Sequence, residues 1–360
     1  MPAGFYPIQV KEVKRETKDA VSIKFDIPSE LKEKFHYKAG QYFTFSIIIN
    51  GEDVRRSYSV CSSPVTDPNP TIAVKEVEGG KMSTYLNRSL KEGDTIDIMP
   101  PMGKFTVEPK SSETHHYFLF GGGSGVTPLV SIIKTVLVAE PNSKLSLFYA
   151  NRDEESIIFR QEIDQLAAEN SDRLEIMYSL DNPPQEWTSY EGYLTEDKVS
   201  ELVREKLGLN YPVARYYTCG PSPMMDVVVA GLKSAGVRND NIFTEYFTAT
   251  NHENHGQNTA SAENYSEEII ERTIKVEVFG QNKEITVKPE QTILIAAQEA
   301  GMDPPYSCTV GVCTTCRARL RTGRASMDER EGLSDAEIDL GYILTCQGHP
   351  LSDDVDLVYE

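Results

Sequence analysis

"YFLFGGGSGVTPLVSIIKTVLV", residues 117–138, is mostly apolar over about the length a bilayer requires, so whether it forms one helix or several elements decides the fold. Gly121, Gly122, Gly123, Gly125, Pro128 and Lys134 interrupt it. A short apolar strand, a glycine turn and a helix opening at proline account for every interruption. We read a strand, a turn and a helix here, and no membrane span.

The same alternation continues downstream. "KLSLFYAN" (144–151) leads to "IIFRQEIDQLAAEN" (157–170), "RLEIMYSL" (173–180) to "TEDKVSELVREKL" (195–207), and "ARYYTCG" (214–220) to "PSPMMDVVVAGLKSAG" (221–236). Strand then helix, four times, predicts a parallel α/β sheet with ligands at the carboxyl ends of its strands. Upstream lie short β-runs at regular spacing: "FYPIQVKEVK", "AVSIKFDIP", "QYFTFSIII", "RRSYSVCSS", "TIAVKEVEG" and "DTIDIMPPMG". They predict an antiparallel β-barrel. Residues 248–271 are rich in Asn, Glu, Ser and Thr and read as a linker. Beyond it come two strands, "TIKVEVFG" and "KEITVKP", with a hairpin turn at Gly280 to Lys283, and a helix, "TILIAAQEAG". The expected domains are therefore 1–111, 112–247 and 272–360, joined by the 248–271 linker.

With 39% hydrophobic and 25% charged residues, the 360-residue chain has material for two or three ordinary domains, each with its own core. Its net charge of -19 disfavours nucleic acid and anionic lipid, and an electrostatically steered partner should present a basic face. The first residues, "MPAGFYPIQVKEVKRETKD", contain no apolar core of signal-peptide length, so a cytoplasmic chain is expected. In a reducing compartment six cysteines point to metal or redox chemistry before disulfides.

Four of them have a pattern. In "SCTVGVCTTC" (307–316), Cys308 and Cys313 are separated by four residues and Cys313 and Cys316 by two, with Cys346 in "ILTCQGHP" following later. C-x4-C-x2-C…C is the spacing of a plant-type [2Fe–2S] centre, and Gly311 permits the tight turn such a loop needs. Zinc also takes four thiolates, but zinc ribbons usually supply two Cys-x-x-Cys pairs, and only one is present. Rieske ligation needs two histidines; none lies in the loop, and His349 reads as a surface residue.

The surrounding sequence, "PPYSCTVGVCTTCRARLRTGRASM" and "GYILTCQ", resembles the plant-type ferredoxin domain, including Ser307 and Arg317 at the loop's edges. In "LSDAEID", Ser334 and Glu337 form the S-x-x-E box expected to open a short helix. Upstream, "RRSYSV" contains R-x-Y-S, which resembles the flavin motif of the ferredoxin–NADP reductase family. The resemblance implies that Arg56 meets the FAD pyrophosphate, Tyr58 lies against the isoalloxazine, and Ser57 and Ser59 complete the site, Ser59 near flavin N5. "VKEVEGGKMSTYL" is similar to that family's second flavin segment: Val74, Lys75 and Val77 along the ring and ribityl chain, Gly80, Lys81, Met82 and Ser83 at the pyrophosphate. "PPMGKF", with Gly103 and Phe105, matches the turn that closes the family's barrel.

"GGGSGVTP" departs from G-x-G-x-x-G in placing Pro128 where the third glycine would stand, and G-x-G-x-x-P is the reductase family's own form. It implies that Gly123 and Gly125 approach the nucleotide pyrophosphate, that Pro128 begins the helix, and that Thr127 lies where nicotinamide meets flavin. "YTCGPSPMM" resembles the family's C-G-P-x-x-M, which puts Cys219 near the nicotinamide and Gly220, Pro221 and Met224 around its pocket. "FTEYF" supplies the family's E-x-F, which implies a catalytic role for Glu245, as for Ser59 and Cys219, and implies that Phe247 shields the flavin ring. In "YANRDEESIIFRQE", Arg152 and Arg160 can pair with a 2′-phosphate, while Asp153, Glu154 and Glu155 repel it, so the cofactor expected is NADPH, with NADH the alternative.

Together these resemblances imply an FAD barrel, an NAD(P) domain and a β-grasp-like [2Fe–2S] domain. Hydride from NAD(P)H reaches FAD, and single electrons pass through the cluster to a partner iron oxygenase. "GEDVRRSYSVC", "CGPSPMMD" and "GYILTCQGHPLSDDVDL" are similar to the reductases of phenylacetyl-CoA epoxidases, which implies phenylacetate or other aromatic degradation. Reductases of steroid hydroxylases and fatty-acid desaturases share the motifs. No segment remains to build the haem domain of an oxidase or nitric-oxide detoxifier, and intact motifs argue against a non-catalytic carrier or sensor.

Overall fold

The structure, a computed structural model, describes residues 2–247 and 268–359. Residues 248–267 of the expected linker lie outside the described residues. The chain forms two compact units, Tyr6–Phe247 and a second made of residues up to Phe5 together with those from Thr248 onward.

The larger unit opens with β1 (Tyr6–Thr17), β2 (Ala20–Asp26), β3 (Tyr42–Ile49), β4 (Glu52–Ser59), β5 (Thr71–Lys75), α1 (Lys81–Arg88) and β6 (Thr95–Met102). The strands form one antiparallel sheet in the order β4-β3-β6-β1-β2-β5. Alternation drives it: Ile8 and Val10, Val21, Ile23 and Phe25, Phe43 and Phe45, and Ile96 and Ile98 all enter one core. Asn50 and Gly51, both at positive φ, join β3 to β4 in the tight turn that Asn-Gly favours. Val60, just past β4, bridges Ile72 on β5 and so ties the two edge strands together, curling the sheet into a half-barrel.

The same unit continues with β7 (His116–Gly122), α2 (Val126–Ala139), β8 (Lys144–Asn151), α3 (Arg160–Glu169), β9 (Leu174–Leu180), β10 (Tyr190–Glu191), α4 (Glu196–Leu207), β11 (Arg215–Gly220), α5 (Ser222–Ser234) and β12 (Ile242–Tyr246). The sheet is parallel, ordered β10-β9-β8-β7-β11-β12. Its central strand is buried on both faces: Tyr117 and Leu119 enter one core, Phe118 and Phe120 the other. The segment at 117–138 is thus strand, glycine turn and helix; among the described residues no helix is long and apolar enough to cross a membrane. Pro128 stands third in α2, not first, because the helix starts at Val126 on a glycine N-cap. Polar contacts join the two halves of this unit: buried Ser131 Oγ donates to Ser62 O (2.6 Å), buried Ser63 and Thr135 share a hydroxyl bond (2.8 Å), and the partly exposed Lys134 bridges Asp67 (2.6 Å) and Glu162 (3.0 Å).

The second unit contains β13 (Arg272–Val278), β14 (Gln281–Val287), α6 (Ile293–Glu299), β15 (Arg317–Thr322), β16 (Ala325–Met327), α7 (Asp335–Asp339), β17 (Tyr342–Leu344), β18 (Gly348–Pro350) and β19 (Asp356–Tyr359). A mixed sheet, β14-β13-β19-β15-β17, packs beneath α6 in a β-grasp-like arrangement, with β16 and β18 paired alongside. α7 opens as expected: Glu337 accepts hydrogen bonds from the Ser334 amide (3.1 Å) and hydroxyl (2.8 Å). His349 corrects the sequence expectation. It lies buried in β18, its Nε2 3.0 Å from Asp328 Oδ2, because β18 pairs with β16 and draws the ring inward.

Candidate functional site

On β4, Arg56 is exposed and donates to its neighbour's carbonyl, Arg55 O (2.6 Å). Ser57 shares a hydroxyl bond with Thr44 (2.9 Å). Tyr58 packs edge-on against Phe45, ring centroids 5.7 Å apart, and burial holds its phenol well above its ordinary pKa. Farther along, Val74 and Met82 point into the barrel core, so only their backbones can face a ligand. Lys75 lies 3.7 Å from Asp19, Val77 is exposed, and Lys81 pairs with Glu52. The Ser83 hydroxyl accepts from the Val77 amide (3.1 Å) and donates to Gly80 O (3.3 Å). That hydroxyl therefore closes the turn, and no side chain caps the N-terminus of α1 at Gly80. Uncapped amides at a helix start suit a phosphate, and this is the fit the FAD pyrophosphate requires. At the barrel's closing turn Gly103, φ 105°, lies where a Cβ would meet the Tyr42 ring at 2.9 Å.

The glycines after β7 answer to packing as well as to a ligand. A Cβ on Gly125 would sit 2.1 Å from Cys219 O, and one on Gly122 would lie 2.6 Å from Pro221 and 2.9 Å from the Met224 sulfur. The turn thus presses onto the end of β11, bringing Gly125, Cys219, Gly220, Pro221 and Met224 together. Gly123 is different: its φ is 52° and a Cβ there would meet nothing within 4 Å, leaving open space where a pyrophosphate can approach. Thr127 Oγ1 donates to Ser124 O (3.0 Å) inside the turn, and Tyr149 OH donates to Gly123 O (3.0 Å).

Residues after the end of β8 complete this edge. Arg152 is exposed and donates to Asp153 (2.8 Å), while Arg160 pairs with Glu154 and lies 3.7 Å from Asp164. Asn151 went unnoticed in the sequence. It is 5% exposed at the carboxyl end of β8, on the same strand face as Tyr149, and no hydrogen bond of full geometry reaches either amide atom, the nearby Tyr149 hydroxyl donating instead to Gly123 O and Ile158 O. A buried amide with nothing to bond is expensive unless a ligand or water completes it. Only its place at the end of a predicted parallel strand could have drawn attention to it.

The residues expected to be catalytic converge. Ser59 Oγ donates to Glu245 Oε2 (2.9 Å), across 186 positions of sequence. Glu245 on β12 stands directly opposite Cys219 on β11. Burial pushes the Glu245 carboxyl up to a pKa of about 8, against the opposing Ser59 bond. Burial, and then the Glu245 carboxyl, raise the Cys219 thiol well above its ordinary range. Phe247, two residues on, is 40% exposed.

In the second unit, the four cysteines form two pairs. All four are free thiols: the Cys313 amide donates to Cys308 Sγ (3.4 Å), and the Cys308 thiol acts on that of Cys313 as the Cys316 thiol does on that of Cys346. The Cys313 thiol first, and then the backbone amides of Val310, Cys313 and Val312, lower the Cys308 pKa. The Cys316 thiol first, then the Gly311 amide and Gln347, lower that of Cys346. Tetrahedral zinc at about 2.3 Å from each sulfur would bring all four within about 3.8 Å of one another. Among the described residues no three of these sulfurs lie mutually within 4.8 Å. Two close pairs, with amides aimed at the sulfurs, fit two irons. Gly311 at φ 81° allows the curl, and Arg317 pairs with Glu337 (3.0 Å) beside it.

Residues 7–107 match the family "Oxidoreductase FAD-binding domain", 119–230 "Oxidoreductase NAD-binding domain", and 276–351 "2Fe-2S iron-sulfur cluster binding domain". One component of the 1,2-phenylacetyl-CoA epoxidase of Escherichia coli K12 is 32% identical over 98% of this chain and 96% of its own length. The ferredoxin reductase component of 3-ketosteroid-9-alpha-monooxygenase from Rhodococcus rhodochrous is 33% identical over the same shares. The chain belongs to this family of ferredoxin reductases with a C-terminal 2Fe-2S domain. The reductase is thus an oxidoreductase that uses FAD, a pyridine nucleotide and a [2Fe–2S] cluster. Its fold is also that of phthalate dioxygenase reductase, with TM-score 0.59 and 22% identity over 99% of this chain and 98% of that one.

Proposed function

We propose that this reductase is the electron-supplying component of an iron-containing oxygenase in phenylacetyl-CoA epoxidation, within aromatic degradation, and that NADPH is its preferred donor. The end-to-end likeness to the Escherichia coli epoxidase component, cluster domain included, carries the reading. FAD, when bound, would take electrons from the nucleotide in pairs, and the cluster would pass them on one at a time.

The chain's own residues prepare that exchange. Arg56 and the uncapped start of α1 hold the FAD pyrophosphate, and Tyr58 lies against the ring. Ser59 and Glu245 line the place where the two rings meet. Below about pH 8 Glu245 is protonated, so the pocket carries no fixed negative charge, and the undissociated Cys219 thiol fills volume without adding any. Gly123 and Gly125 let the nucleotide approach the backbone, Thr127 stiffens the turn, and Asn151 offers its unpaired amide to the ribose. Arg152 and Arg160 reach a 2′-phosphate by exchanging it for Asp153 and Glu154. Phe247 covers the flavin from the side where nicotinamide enters. Cys308, Cys313, Cys316 and Cys346 ligate the cluster.

Reconstitution tests the pathway. The purified reductase is mixed with the oxygenase components of phenylacetyl-CoA epoxidase and, separately, with the oxygenase component of 3-ketosteroid-9-alpha-monooxygenase, and NADPH consumption is compared with product formed. Tight coupling to epoxidation is expected. Better coupling to the steroid oxygenase favours the second reading, to which the Rhodococcus relative points, and overturns the first.

A further inference from the structure

Gln347 follows the last cluster cysteine, and its side chain crosses to the loop that carries the first two. Its Nε2 lies 3.0 Å from Thr309 O, 3.0 Å from Cys346 O and 3.9 Å from Cys346 Sγ. All three neighbours are acceptors, which fixes the amide's orientation with its N–H end toward the cluster loop. Its backbone is pinned on both sides: its N–H donates to Leu344 O (3.0 Å), and its carbonyl accepts from the Asp328 amide (3.0 Å).

The loop it reaches needs holding. Thr309 is a β-branched residue at φ 58°, a conformation such residues rarely adopt unless their surroundings impose it. Gly311 lies so close that a Cβ there would be 3.2 Å from Gln347 Cγ, and its carbonyl accepts from the Gly332 amide (2.8 Å). Gln347 is thus bonded covalently to the Cys316/Cys346 pair and by hydrogen bond to the loop between Cys308 and Cys313. Its side chain spans the two halves of the proposed ligand set.

We infer that Gln347 is a positioning residue for the [2Fe–2S] centre, strapping the Cys308–Cys313 loop to Cys346 and placing an N–H dipole beside the Cys346 sulfur. The inference rests on the four cysteines being the ligands. A donor beside a cluster sulfur favours the more negative, reduced state, and an outer partner of this kind commonly changes metal retention by about 10–100-fold.

The test uses the full chain, its Gln347→Leu variant, which keeps bulk but loses the donor, and its Gln347→Glu variant, which keeps shape and adds charge. Dye-mediated dithionite titration followed by electron paramagnetic resonance reads the midpoint potential. Loss of visible absorbance in a chelator reads cluster lifetime, and FAD content reports folding of the other unit. The expected order of potentials is wild type above Leu above Glu, with the reduced-to-oxidised ratio at the wild-type midpoint falling several-fold and cluster loss accelerating about tenfold. Unchanged potential in both cluster-loaded variants overturns the inference, whatever happens to lifetime. Wild-type protein without a [2Fe–2S] spectrum would instead overturn the ligand assignment beneath it.

Discussion

Glu245 has a carboxyl whose pKa is about 8 in the fold, against 4.5 for the ordinary side chain. Between those values the unfolded chain has released the proton and the folded chain still holds it, so stability falls as pH rises from about 4.5 and levels off above about 8. Glu245→Gln removes that slope, which urea unfolding at pH 5, 6.5 and 8.5 will show. NADPH-driven dye reduction should likewise change across pH 8 in the wild type and stay flat in the variant. A second pair of residues separates recognition of phosphate from recognition of ribose. Arg152→Ala should raise KM for NADPH by about tenfold, the equivalent of about 1.4 kcal/mol, and leave that for NADH nearly unchanged. Asn151→Ala should raise KM for both nucleotides with kcat retained, since it removes binding made equally before and during the reaction. Equal effects of Arg152→Ala on the two nucleotides would remove the preference for NADPH.

At the scale of elements, the turn after β7 and the end of β11 work as one joint, and two glycines in it answer to different demands. Gly125→Ala forces a methyl group against a backbone carbonyl that cannot yield, at about 1–3 kcal/mol, and should open the joint. NADPH should then fail to reduce the flavin while dithionite still does. Gly123→Ala meets no protein atom within 4 Å and should cost the fold only about 1 kcal/mol through its positive φ, but its methyl enters the space left for the pyrophosphate, so NADPH should reduce the flavin only at higher nucleotide concentration. Stopped-flow reduction of both variants checks the contrast. The elements themselves are legible in the sequence because their causes are local: alternation in β1 to β6, Asn-Gly between β3 and β4, and glycine then proline around the start of α2. The site is legible only in part. Cys-x4-Cys-x2-Cys and the glycine turn are short-range patterns, whereas the Ser59–Glu245 bond and the pairing of Cys219 with Glu245 depend on which strands the sheet sets side by side. His349 and Gln347 were misjudged or missed for the same reason: their partners, Asp328 and Thr309, lie 21 and 38 positions away.

For the whole molecule, the net charge of -19 acts at a distance that individual contacts do not reach. Raising ionic strength from 0.01 M to 0.15 M shortens the screening length from about 30 Å to about 8 Å. Reduction of cytochrome c, a basic acceptor, should slow several-fold over that range, and reduction of ferricyanide, an anion, should quicken. Parallel responses would show that long-range charge does not guide acceptors here. The four cysteines differ in depth as well as in partner: Cys316 and Cys346 are buried, while Cys308 and Cys313 are partly exposed. A cluster built on them has an inner half and an outer half. A chelator added to the loaded protein should reach the Cys308 and Cys313 end first, so the centre should be lost from that side while the deeper pair still holds.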